Sequence, residues 1–183
     1  MAKQFFLHLI AFLFITNLFS QEYTFLKEIK LDIEAENYLT DQLGNVYLLH
    51  KDRIIKHDLN NNNEYEYSNN EMGSISYVDV SDPLRILIYY NDFNQIVFLD
   101  NKLSEIGSPV SLDDIGHENT NIVCSSKDGG FWLFDHQNGQ LFYYNEDLNM
   151  VNQSVSINSI TDEEINPNYM IEKNQSVYLN IPD

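Results

Sequence analysis

The chain has 183 residues, 43% of them hydrophobic and 13% aromatic, enough for one domain with a real core and too apolar for a disordered tail. Lys and Arg total 10 against 28 Asp and Glu, a formal charge of −18. That sign argues against nucleic acid and anionic lipid as partners, since both are neutralised by Lys and Arg, and leaves a solvated acidic exterior or an acidic groove for a cationic partner.

Residues 1–20, MAKQFFLHLIAFLFITNLFS, carry one cation, Lys3, and an apolar run from Phe5 to Phe19 broken by His8, Thr16 and Asn17. The run is short of the roughly 20 apolar residues a membrane span needs. Polar sequence begins at Gln21 and Glu22, so the layout predicts a secretory signal peptide with Ser20 before the cut, a retained anchor being the alternative. Export and no stable membrane insertion after cleavage are the expectation. No cysteine directly follows the run, which excludes lipid modification there, and the single Cys124 cannot form an intramolecular disulfide. It lies in the apolar stretch NIVCSS and is expected to be a buried, inert thiol.

After residue 20 the chain reads as strands. Residues 24–33, TFLKEIKLDI, form one, and their pattern matches the last strand of each later unit. The first unit, 36–70, has apolar runs beginning near Asn45 and Arg53, then the alternating EYEYS. The second, 74–112, has ISYVDVS, RILIYYN, QIVFLDN and a weaker EIGSPVSL; the third, 119–157, has NIVCSS, GFWLFDH, QLFYYN and MVNQSVSI. Residues 168–183 hold half a unit. The runs are short and rich in Val, Ile, Tyr and Phe, and Gly44, Pro83 and Gly129–Gly130 punctuate them, which favours strands over helices.

The units recur. First runs begin near Asn45, Arg85, Gly130 and Ser176, spaced 40, 45 and 46 residues; second runs end at Asp58, Asp100 and Asn145, spaced 42 and 45. Four short strands every 40 to 45 residues predict an all-β fold of β-propeller blades, each of four antiparallel strands, with about three and a half blades present. Residues 24–33 are then expected to be an outer strand closing the last blade. Three and a half blades do not close an ordinary ring, so a truncated or partial propeller is expected.

The runs DQLGNVY from Asp41 with IIKHD ending at Asp58, and DGGFW from Asp128 with LFYYN ending at Asn145, resemble the repeat of secreted and sensory propellers of the NHL-like and two-component-regulator type. The second unit departs from it, with Pro83 and Leu84 in place of Gly-Asn. The stretch SKDGGFW also resembles the Asp-box of sialidase-type propellers, with its Trp one residue early. The resemblance implies that Asp41, Gly44, Tyr47, Asp58, Asp100, Asp128, Gly130, Trp132 and Asn145 are structural. Physical chemistry agrees: Asp before Gly accepts turn amides, and Gly takes positive φ without steric cost. Tyr47, Trp132 and Phe142 are expected to fill the gaps between blades.

Other constellations are weaker. His50, His57, His117 and His136 lack metal-ligand spacing and read as structural or surface residues. The carboxylate pairs Asp113–Asp114 and Glu163–Glu164 lie in linking segments, where Asp113 and Asp114 are candidate ligand contacts on a rim, without the spaced acidic loop of a Ca²⁺ site. Tyr65 and Tyr67 in EYEYS are candidate exposed contacts, set against an edge strand kept soluble by Glu64 and Glu66. No catalytic, cofactor-binding or metal residue is predicted, and no cofactor. The expected function is an exported, non-enzymatic scaffold that binds a protein or envelope ligand through its loops; a propeller lyase or glycosidase, and the sensor portion of a longer envelope protein, are the rivals.

Overall fold

A computed structural model describes residues 35–161 and 164–182, all within the second of two compact units, Glu34–Asp183. The predicted signal peptide (1–20) and closing strand (24–33) lie outside the described residues. The strands are β1 (Asn37–Thr40), β2 (Val46–Leu49), β3 (Arg53–Asp58), β4 (Asn63–Ser68), β5 (Tyr77–Asp79), β6 (Ile86–Tyr90), β7 (Gln95–Leu99), β8 (Val110–Ser111), β9 (Thr120–Ser125), β10 (Phe131–Asp135), β11 (Gln140–Tyr144), β12 (Met150–Gln153), β13 (Tyr169–Lys173) and β14 (Ser176–Asn180). An α-helical turn, α1 (Asn158–Thr161), follows β12, and short 3-10 turns lie at Asn70–Met72 and Asn91–Phe93.

These strands form three four-stranded antiparallel meanders and one hairpin: β1–β4 (blade 1), β5–β8 (blade 2), β9–β12 (blade 3) and β13–β14. The fold is an all-β partial propeller, as the 45-residue period predicts. Register shows why the period is readable. Val46 pairs with His57, Ile86 with Leu99 and Phe131 with Tyr144, so each unit repeats the same central ladder.

Side chains alternate across each strand, so a blade with both faces covered needs apolar residues at every position. β6 shows this most clearly, since every residue of ILIYY is buried. Tyr47, Ile54 and Tyr67 of blade 1 pack on Ile86, Ile88 and Tyr90 of blade 2. The opposite face of blade 2, with Leu87, Tyr89 and Phe98, packs on Phe131, Leu133 and Tyr144 of blade 3. Ile122, Cys124 and Phe134 on the far side of blade 3 meet Met170, Val177 and Leu179 of the hairpin. Tyr47, Phe142 and Trp132 sit in these three layers in turn, as expected of gap-filling aromatics.

Two expectations need correction. Tyr67 is not an exposed contact: only 9% of it is accessible, and its hydroxyl donates to Glu105 at 2.8 Å across the first interface. Tyr65 is partly buried against the same layer. The weak strand expected over 105–112 shrinks to Val110–Ser111, with a single bridge from Leu99 to Glu105. Gly107, Ser108 and Pro109 interrupt it, and Pro has no amide to donate to the ladder.

Candidate functional site

The turn before the second strand of blade 1 is built around one carboxylate. Asp41 Oδ1 accepts the backbone amides of Leu43 (2.9 Å) and Asn45 (3.0 Å), while Oδ2 accepts the Asn45 side-chain amide (2.7 Å) and the Tyr47 hydroxyl (2.8 Å). Gly44 takes φ 82° to close the loop. Partial burial pushes the Asp41 carboxyl up, but the hydrogen bonds from Asn45, Tyr47 and Leu43 outweigh it and hold it below its ordinary value. In blade 3 the matching cap is Ser126 rather than Asp128. Ser126 exchanges backbone bonds with Gly130 and Gly129, as Asp41 does with Asn45 and Gly44, and its hydroxyl accepts the Asp128 amide.

Asp100 and Asn145 cap a second recurring loop. Each accepts two backbone amides through one oxygen, those of Lys102 and Ser104 and those of Asp147 and Asn149. Asp58 does likewise for Asn60 and Asn61. Gly130 has no room for a side chain, because a Cβ would lie 1.9 Å from the Tyr144 carbonyl oxygen. All these residues shape blades.

The histidines are scattered. His57 lies 3.3 Å from Glu64 across β3 and β4, and His136 lies 3.2 Å from Glu164. His117 is buried between blades 2 and 3, with Nε2 2.7 Å from the Tyr144 hydroxyl and Nδ1 3.7 Å from Asp135. Burial pushes its pKa down while Asp135 pulls it back up, with a net lowering. Asp113 accepts a hydrogen bond from the Asn94 amide, and both Asp113 and Asp114 are exposed on the β8–β9 connection. Among the described residues no three His, Cys, Asp or Glu side chains are grouped to hold a metal ion.

A concave feature lies elsewhere, where first strands of the units converge. A cleft of about 490 Å³ is walled by Leu39 and Thr40 of β1, Tyr77 and Asp79 of β5, and Tyr169 and Ile171 of β13, with Asp41, Gln42, Ser76, Ser81 and Asn168 around its mouth. The Tyr77 and Tyr169 rings meet edge to face at 6.3 Å. The Tyr77 hydroxyl donates to the Met170 carbonyl at 3.2 Å. Burial, with the Asp79 carboxylate beside it, pushes that phenol well above its usual pKa. Asp79 accepts the Ser81 amide (2.8 Å) on one oxygen and the Ser125 amide (2.9 Å) on the other. Cys124 is fully buried behind it, as expected, and burial, Asp79 and Glu172 push its thiol upward.

The cleft thus offers hydroxyls, amides and two tyrosines, while its carboxylates already hold the backbone together. Of the residues singled out in the sequence, only Asp41 lines it. Tyr77, Asp79, Ser81 and Tyr169 were missed, although Tyr38, Tyr77 and Tyr169 each fall on the first strand of a unit, a regularity visible in the sequence.

No family model matches the chain, and no curated protein matches it in sequence. Solved structures match it in shape. Streptogramin B lyase aligns with TM-score 0.56 at 14% identity, covering 79% of this chain and 47% of that one. Dihydro-heme d1 dehydrogenase NirN in complex with DHE aligns with TM-score 0.55 at 14% identity, covering 81% and 32%. HIRA(644-1017) aligns with TM-score 0.54 at 10% identity, covering 80% and 49%. The chain spans about half the length of the first of these. At such identities the likeness is one of fold, and it agrees with the blades described above: the chain has the architecture of a β-propeller, with three blades and one hairpin among the described residues.

Proposed function

We propose that the chain is an exported, non-catalytic scaffold that binds a protein or envelope ligand through the loops and first strands around the 490 Å³ cleft. The observation that carries this reading is the state of the cleft carboxylates. Asp41 receives four hydrogen bonds and Asp79 two, so both are committed as acceptors to the chain's own donors. A general acid or base needs an oxygen that can exchange a proton with substrate, and Asp41 is biased towards its ionised form. The exposed polar groups at the mouth, Thr40, Gln42, Ser76, Ser81 and Asn168, suit hydrogen bonding to a ligand on a rigid support.

The test is to immobilise the protein lacking residues 1–20 and pass a cell-envelope extract over it, beside Ser81→Arg and Thr40→Arg variants that fill the mouth of the cleft. A ligand retained by the parent and lost from both variants supports the reading. Turnover of glycan or peptide substrates by the purified protein, abolished in Asp79→Asn, would overturn it.

A further inference from the structure

A second groove, of about 330 Å³, lies between blade 3 and the β13–β14 hairpin, away from the axial cleft. Its floor is an aromatic pair, Trp132 and Tyr143, with ring centroids 5.1 Å apart. Glu172 of β13 stands at one side and accepts the Trp132 indole N–H through Oε2 at 3.0 Å. Asp128, Asn152 and Gln175 complete the rim. Among the described residues no cation pairs with Glu172 or Asp128.

The neighbouring groove, between blades 2 and 3, shows what such a place can hold. There the aromatic is Phe98, which pairs with Leu87 as Tyr143 pairs with Trp132. The Arg85 guanidinium lies over the Phe98 ring at 3.6 Å, donates to the Gly129 carbonyl, and is drawn to Glu146. Arg85 immediately precedes β6, and the residue at the same place before β10 is Gly130. No side chain can grow from Gly130, since a Cβ would meet the Tyr144 carbonyl at 1.9 Å. The same recess therefore keeps its aromatic floor and a carboxylate, while the chain cannot supply the guanidinium from that position.

We propose that this groove binds an arginine side chain of a partner protein, its guanidinium lying on the Trp132–Tyr143 pair and hydrogen-bonded to Glu172. A planar guanidinium is weakly hydrated, stacks on aromatic faces and pairs with carboxylates, which suits this floor and wall. The formal charge of −18 draws a cationic partner to it.

Trp132 is the only tryptophan of the chain, so its emission reports on the groove directly. The experiment titrates the protein lacking residues 1–20 with N-acetyl-arginine amide, and in parallel with N-acetyl-citrulline amide, which has the same shape without the charge. A saturable change in Trp132 emission and in its indole NMR resonance is expected for arginine alone, weakening with salt. Glu172→Gln should weaken it by about tenfold or more, and Asp128→Asn, on the rim of the groove, should weaken it less. Both variants are checked for folding by circular dichroism. An equal response to citrulline, a response to neutral oligosaccharide but not to arginine, or no saturable change in either signal overturns the proposal.

Discussion

Single side chains decide how each turn of this propeller holds. Asp41 gathers four donors at a strand entry. Asp41→Ala is expected to lower stability by roughly 1–3 kcal/mol, read as a fall in the urea midpoint at neutral pH. Because its folded pKa is depressed, this stabilisation is fully present above the ordinary value of 3.8 and is lost as pH falls through the folded value; the variant should lack that acid-sensitive part. His117 works at higher pH. Its folded pKa lies below 6.5, so the unfolded chain takes up the proton first and stability declines as pH drops through 6.5. Urea midpoints measured at about pH 7.5 and about pH 5.5 should differ less in His117→Gln than in the parent. At this scale the sequence was partly legible. The alternation EYEYS announces a two-faced strand, yet nothing local says that the Tyr face is buried, because Tyr67 meets Glu105, 38 residues away on the next blade.

Elements repeat with their loops. The turns after β7 and β11 share an Asx cap and place a leucine in the left-handed region, Leu103 at φ 60° and Leu148 at φ 58°. Such a conformation costs an L-residue roughly 1–2 kcal/mol, which glycine avoids. The two leucines differ in what offsets that cost: Leu103 is 3% accessible and packs in the first interface, whereas Leu148 is 41% accessible. Leu148→Gly should therefore raise stability by up to about 1 kcal/mol, while Leu103→Gly should lower it by roughly 2 kcal/mol or more, both by denaturant unfolding. Strand positions were readable because β-branched and aromatic runs between Gly, Pro and Asn leave little choice. The cap of the third blade was harder: Asp128 looks like the counterpart of Asp41, but backbone register gives the role to Ser126, because Asp128 stands two residues too late to close the same turn.

Across the molecule, the period was the strongest signal because every unit must repeat one ladder and cover the face of its neighbour. The axial cleft was not readable, since its walls come from Thr40, Tyr77 and Tyr169, brought together only when the blades stack. The groove on the Trp132–Tyr143 pair was hidden for the same reason, its carboxylate lying 40 residues beyond the indole it meets.

The complete enclosure of β6 has a kinetic consequence. Ile86–Tyr90 lies between partner strands on both edges and between neighbouring blades on both faces. Its amide protons reach solvent only when those neighbours separate, so their exchange should report the free energy of opening the whole stack. β12 has every residue exposed and should exchange through local fraying. Hydrogen–deuterium exchange read by mass spectrometry should rank the peptide containing β6 slowest and that containing β12 among the fastest. If the two exchange together, the blades open as one unit, and breathing at the periphery is not separable from collapse of the centre.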